Sequence, residues 1–237
     1  DNLRVSVLPA QEGEGAKLVY YETDELPLEY SAENGNIALK SATWGSKRYW
    51  QESFRRGIMF SAVMSDYTRA ELYLPADYAG NLAVTVNNGA LTAGGFDDTV
   101  CFANVTLTTD NGVIAVDGFR SQMLSLDTDN GYIRLDNVRA EGLDFKVNNG
   151  AVKLGGVSAK TVLGSTQNGA ITLDRLESES VTLKTDNGTI SGSLVGNEAD
   201  YRIETRVSNG SCNLNDKTDG EKQLYLRVGN GSIKLHF

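Results

Sequence analysis

The sequence predicts an all-β chain wound as a right-handed parallel β-helix, a solenoid with coils of about 19–22 residues. Three observations lead there. Asn-Gly occurs at 34–35, 88–89, 111–112, 130–131, 149–150, 168–169, 187–188, 209–210 and 230–231. The glycines from Gly112 to Gly188 are spaced by 19 residues four times running, with neighbouring intervals of 23, 22 and 21. A fixed period of that size marks a repeat architecture. Val, Ile, Leu and Thr alternate with polar residues almost throughout, and no apolar stripe of helical spacing has useful length.

Residues 81–237 hold the regular repeats. Seven residues before the glycine of each unit stand Leu82, Val105, Leu124, Leu143, Val162, Val181, Ile203 and Leu224, all apolar. Five before it stand Val84, Leu107, Leu126, Phe145, Gly164, Leu183, Thr205 and Leu226, and three before it only Val or Thr. Two after it come Leu91, Ile114, Ile133, Val152, Ile171, Ile190, Cys212 and Ile233. A further apolar site falls seven after it, in Phe96, Phe119, Val138, Val157, Leu176 and Val195. Positions between, such as Asp127, Lys146, Lys184 and Arg206, are mostly polar. This is period-two patterning with one face buried. Each unit reads as strand, Asn-Gly turn, strand, loop.

Two architectures satisfy the pattern. Asn-Gly is a strong hairpin signal, and hairpins at every site would give a meander of some sixteen strands with one apolar face. Nothing in the chain is left over to cover that face. In a solenoid each unit is one coil and covers the next, so the apolar positions share an interior. Right-handed winding follows from the chirality of parallel crossovers. Glycine then supplies a left-handed corner, and the asparagines form a hydrogen-bonded ladder. The solenoid is preferred, and Asn111, Gly112, Asn130, Gly131, Asn149, Gly150, Asn168, Gly169, Asn187 and Gly188 are its structural turns. Eight coils at about 4.8 Å give a stack of about 38 Å.

The N-terminal region, 1–80, carries less regular strands in LRVSVLP, AKLVYYET and RAELYLP, with an insertion at 41–66. PLEYSAENGNIALK fits the repeat template, with Leu28, Tyr30 and Ala32 before the turn and Ile37 and Leu39 after it. This region is expected to continue the stack and cap its first coil, so that 1–237 is a single domain. Within the insertion, Trp44, Arg48, Tyr49, Trp50, Phe54, Arg55 and Arg56 gather aromatic and basic groups in an otherwise acidic chain. They read either as a ligand-binding surface for glycan, peptide or polyanion, or as a lid over the coil end.

The order of these features resembles the DUF4097 type of domain, an adhesin-like family of bacterial envelope and secreted proteins. The resemblance rests on LRVSVLP and KLVYYET, SAENGNIAL, RAELYLP, and strand–NG–strand units such as LAVTVNNGALT and LSLDTDNGYIRL. It covers essentially the whole chain. It implies a β-helix-like domain, extracytoplasmic or membrane-tethered, with roles in binding or envelope stress.

Composition narrows the function further. The net charge of −9 argues against nucleic acid, which needs a basic face. No stretch is apolar enough to span a bilayer. The opening DNLRVSVLP already reads as a strand, so an anchor or leader upstream stays compatible with this start. The lone histidine, His236, is a poor base at the chain end, and no carboxylate pair stands out. DTDNG at 127–131 departs from a calcium loop, since Gly131 falls at the fifth place and no acid completes the set. Asp110, Asp129 and Asp186 alternate with Asn148 and Gln167, the mark of a polar corner. The Thr column alternates with Val and is therefore assigned to the interior. Cys212 sits where Ile stands elsewhere and is expected to be a buried free thiol, out of disulfide reach of Cys101. The reading is a non-enzymatic binding or structural domain of the cell envelope, without cofactor or metal. Its partner would be a protein or glycan at the cell surface. An envelope-stress module and a polysaccharide-acting enzyme are the rivals.

Overall fold

Period-two alternation is realised as strand nearly everywhere. A computed structural model describes residues 3–20, 28–33, 36–41, 69–75 and 77–237, and among them there is no α-helix. The strands are β1 (Leu3–Pro9), β2 (Lys17–Tyr20), β3 (Leu28–Glu33), β4 (Asn36–Ser41), β5 (Arg69–Leu74), β6 (Asn81–Gly94), β7 (Phe102–Gly155), β8 (Ser158–Asn168), β9 (Ile171–Leu176), β10 (Ser180–Leu194), β11 (Tyr201–Cys212) and β12 (Lys222–His236). A 3-10 turn, Glu198–Asp200, joins β10 to β11.

The repeats pair in parallel with equal positions opposed. Leu143 lies opposite Val162, and Val162 opposite Val181. After the Asn-Gly, Val152 lies opposite Ile171 and Ile171 opposite Ile190. Each offset is the nineteen-residue period, and the meander is excluded here because like positions lie side by side. The inward columns are buried as the alternation requires: Leu124, Ile133, Leu135, Val138, Leu143, Val152, Val162 and Ile171 belong to one continuous core. Each such side chain contributes about 1.5–3 kcal/mol before chain entropy is counted.

Glycine is needed in the Asn-Gly column for the expected positive φ at Gly89, Gly112, Gly150, Gly169, Gly210 and Gly231 (140–157°), and at every repeat for a second reason, a close backbone approach. A Cβ on Gly112, Gly131, Gly150, Gly169 or Gly188 would fall 1.5–1.8 Å from the carbonyl oxygen of the glycine one repeat before. The backbones approach too closely for any side chain. At Gly131 and Gly188 φ lies outside the left-handed region altogether, so conformation alone does not impose the residue. A second positive-φ corner sits six residues later, at Gly95 (φ 79°), Gly118 (57°), Asn137 (54°), Gly156 (58°) and Arg175 (54°). Four of these five are the residues that tolerate positive φ; Arg175 is the exception.

Gly164 also breaks its column for a packing reason. Its Cβ would lie 2.0 Å from Cζ of Phe145 on the neighbouring strand, so the large ring fills the space that the small residue vacates. Val195 departs from expectation. It is 40% exposed, because a register shift between Gly192 and Leu194 places Leu194 opposite Leu176 and buries it instead.

The C-terminal strands do not pair in chain order. β10 pairs with β12, and β12 pairs with β11, so the last strand is inserted between its two predecessors. The apolar content of the two strands accounts for the exchange. β12 buries Leu224, Leu226, Val228, Ile233 and Leu235; β11 matches Leu224 and Val228 with Ile203 and Val207 but sets Thr205 opposite Leu226 and Cys212 opposite Ile233. The richer strand takes the place with two neighbours, and the poorer one takes the end. Cys212 is accordingly half-buried rather than buried, and both Cys101 and Cys212 are free thiols. The segment after β11 folds back on it, with Ile203 and Lys217 exchanging backbone hydrogen bonds at 2.9 and 2.8 Å.

The N-terminal end also departs from the template. β3 and β4 pair antiparallel, with Glu33 opposite Asn36; Asn34 and Gly35 lie outside the described residues. β4 lies parallel to the first half of β6, with Ile37 opposite Leu82 and Leu39 opposite Val84. Ile37 therefore holds the position seven before the glycine, not two after it. The second half of β6 takes β1 as its neighbour, with Val5 opposite Leu91. β5 then pairs parallel with β1, and β2 antiparallel with β5. Where the first repeat is longer, an aromatic corner fills the interior: Phe102 stacks on Phe119 at 4.5 Å, and Phe96 meets both edge-on.

Candidate functional site

A parallel ladder in strict register converts a sequence offset into a straight column of side chains, one every 4.8 Å or so. The Asn-Gly corner shows this directly. Asn111 Nδ2 donates to Asn88 Oδ1 at 2.8 Å, Asn130 to Asn111 at 2.9 Å, Asn149 to Asn130 at 3.0 Å, and Asn168 to Asn149 at 2.9 Å. Asn187 donates to Asn168 at 2.9 Å, Asn230 to Asn187 at 2.8 Å, and Asn209 to Asn230 at 2.8 Å. The last two links follow the exchanged strand order. These side chains are used by one another, which gives the column a structural role.

Inside the corner, Thr109, Thr128, Thr166 and Thr185 are buried. Thr185 Oγ1 donates to the Gly169 carbonyl at 3.2 Å, while the hydroxyls of Thr109, Thr128 and Thr166 have no hydrogen-bond partner among the described residues. Outside it, Asn148 Nδ2 donates to Asp129 Oδ1 at 2.5 Å, a rung of the polar corner that the alternation of Asp with Asn indicates. Among the described residues no group of three His, Cys, Asp or Glu side chains is placed to hold a metal ion. His236 is exposed near the end of β12, level with Ser193 of β10.

The outward columns on the strand before each Asn-Gly carry the chemistry that is free to meet a partner. In spatial order, the position four before glycine reads Thr108, Asp127, Lys146, Ser165, Lys184, Arg227, Arg206. The position six before it reads Thr106, Ser125, Asp144, Leu163, Thr182, Tyr225, Glu204. Acid groups gather on the β7 side. Burial pushes the Asp127 carboxyl above the usual range; Lys146 pulls it down, and the charges of Asp129 and Asp144 push it up again. Bases gather on the other side. The Lys184 ammonium and the Arg206 guanidinium both stand 5.8 Å from the centre of the Tyr225 ring, flanking it in a double cation–π contact. Arg206 also pairs with Glu204 at 2.7 Å. Between the two ends lies Leu163, 46% exposed.

Trp44, Arg48, Tyr49, Trp50, Phe54, Arg55 and Arg56 lie outside the described residues. The basic cluster around Tyr225 was not singled out by sequence reasoning, although its signal was present. Lys184, Arg206 and Arg227 share one offset in their repeats, and equal offsets meet in a parallel stack.

No helix among the described residues is long and apolar enough to cross a membrane. Neither curated proteins nor solved structures gave a match to the chain. The family comparison did. A sequence model described as Toastrack DUF4097 matches residues 4–235, nearly the whole chain, including every strand that builds the ladder, and the protein belongs to that family.

Proposed function

We propose that the protein is a non-enzymatic binding and structural domain of the bacterial cell envelope, wound as a right-handed solenoid and presented outside the cytoplasm. The observation that carries this reading is the uninterrupted parallel ladder from β6 to β12, which holds outward side chains in fixed columns. Its distinctive residues support stacking: the glycines admit the neighbouring carbonyl, the asparagines bond to one another, and the threonines fill the core. A surface of this kind suits recognition of an extended partner, a protein or a glycan at the cell surface, without cofactor. The net charge of −9 is in keeping with a partner other than nucleic acid.

The test is binding and turnover measured side by side. The purified domain is applied to intact bacterial cells and to isolated surface polysaccharide, and reducing-end release is followed in the same samples. Saturable binding without release is expected. Release of reducing ends, or absence of binding to either material, refutes the proposal. The winding is tested by an experimental density map, in which left-handed coils would overturn that part.

A further inference from the structure

The outward face before the Asn-Gly corner is divided in charge about a central strand, and the division has a symmetry. Leu163 lies on β8. Counting by strand register, Asp127 sits two strands to one side of it and Arg227 two strands to the other, both in the column four before glycine. Each is therefore about 10 Å from the line through Leu163. We infer that this face is a self-association surface, on which a second copy of the chain docks about a two-fold axis lying in the interface, parallel to the strands and passing beside Leu163.

Such an axis reverses the order of the strands and keeps each column facing itself. Leu163 of one copy then meets Leu163 of the other, covering an apolar side chain that is 46% exposed in the single chain. Asp127 meets Arg227 of the second copy, and by symmetry the same pair forms twice. Asp144 comes opposite Thr182 and beside Lys184. Lys146 and Lys184 are brought face to face, but neither charge is uncompensated: Lys146 is within electrostatic reach of Asp127, and Lys184 stands over the Tyr225 ring. The arrangement is isologous, the commonest form of a homodimer. Seven strands by six residues give a face of about 34 by 20 Å, or about 700 Å² per copy, within the range of a specific interface. The inference is independent of where the protein resides and of what else it binds.

Sedimentation of the whole chain at low and at high salt tests it. A dimer that weakens as salt rises is expected, because the charge pairs are screened. Asp127→Arg and Arg227→Asp, each alone, place like charges together twice and should weaken the dimer about 100-fold. An equimolar mixture of the two variants restores both attractive pairs in a heterodimer and should return to within about tenfold of the wild-type affinity. Leu163→Glu should give a monomer. Circular dichroism of each variant verifies the fold, and recovery in the mixture itself shows that both single variants are folded. A wild-type chain that stays monomeric at low salt overturns the inference, as do single variants that remain dimeric or a mixture that stays monomeric. Heparin serves as the probe of the rival occupant: binding of heparin by a monomeric wild-type chain would assign the basic end to polyanions instead.

Discussion

Alanine at Gly131 and alanine at Gly118 should separate two reasons for glycine that the repeat places six residues apart. At Gly131 the backbone conformation is open to any residue, but a Cβ would stand 1.8 Å from the Gly112 oxygen and 2.9 Å from its carbon. Ordinary contact begins at 3.4 Å, so the two strands would have to part by as much as 3.4 − 1.8 = 1.6 Å. A parallel ladder cannot stretch so far and keep its bonds. The rungs that Asn130 makes to Asn111 and Asn149 makes to Asn130 lie beside the site, together with the flanking backbone bonds. Three to five such bonds at about 1 kcal/mol net apiece give a cost of about 3–5 kcal/mol. At Gly118 the situation is reversed. No atom lies within 4 Å of the added carbon, but φ is 57°. The left-handed penalty of about 1–2 kcal/mol is partly offset by the smaller entropy alanine loses on folding, leaving about 0.5–1 kcal/mol. For a chain of this size each kcal/mol shifts the melting temperature by about 2–4 °C. Gly118→Ala should therefore melt a few degrees lower, and Gly131→Ala about 6–20 °C lower. Hydrogen exchange in the Gly131 variant should show protection lost at 105–135. Arg175→Gly is the converse experiment at the same corner and should gain about 0.5–1 kcal/mol, since Arg175 holds φ 54°. Equal melting temperatures for Gly131→Ala and Gly118→Ala would refute the close-approach argument.

Three further outcomes follow from the core and its charges. Thr128→Val should stabilise the protein by about 1 kcal/mol in urea denaturation, because its buried hydroxyl has no partner among the described residues; Thr185→Val should gain less, since that hydroxyl is bonded. Gly164→Leu and Phe145→Leu should each destabilise, while the double variant recovers at least about 1 kcal/mol of the sum, as measured by a double-mutant cycle. Tyr201 is fully buried and donates to the Val195 carbonyl at 3.0 Å; burial raises its phenol pKa, with Asp200 and Glu177 adding to the shift. Its contribution is then fully present below the unfolded value of about 10 and lost as pH rises through the higher folded value. Alkaline melting curves should show that loss in the wild type, and Tyr201→Phe should flatten it.

The interior was legible in the sequence because burial in a parallel stack depends on offset alone. Leu124, Leu143 and Val162 are buried for the same reason, and a single alignment of glycines finds them all. What escaped were features that depend on which strand is whose neighbour. Gly164 is an anomaly in its own unit and is explained only by Phe145 of the unit before. The second positive-φ corner was hidden by its own variety, since Gly95, Gly118, Asn137, Gly156 and Arg175 share a conformation but not a residue type. Ile37 was misplaced because Asn34-Gly35 resembles the other Asn-Gly pairs, yet β3 and β4 on either side of it pair antiparallel. The charged face was half visible: its residues were noted as polar, but their order across strands requires the register.

The exchange of β11 and β12 shows that stacking order is itself an energetic choice. In a ladder every inner strand has two neighbours and the end strand has one, so interchanging two similar strands preserves the number of hydrogen-bonded neighbours. The difference lies in what each strand buries. Both strands bury apolar side chains, Tyr201 and Ile203 on β11 among them, but Leu226 and Ile233 on β12 gain from cover on both sides where Thr205 and Cys212 on β11 lose little at the end. The equality of the Asn-Gly corners makes the exchange possible, because Asn230 bonds to Asn187 and to Asn209 with the same 2.8 Å geometry. Identical corners thus leave the order free, and the apolar content of the arms decides it. Lys184, Arg227 and Arg206 end up consecutive on the outward face, with Tyr225 held between two cations only because its strand lies in the middle.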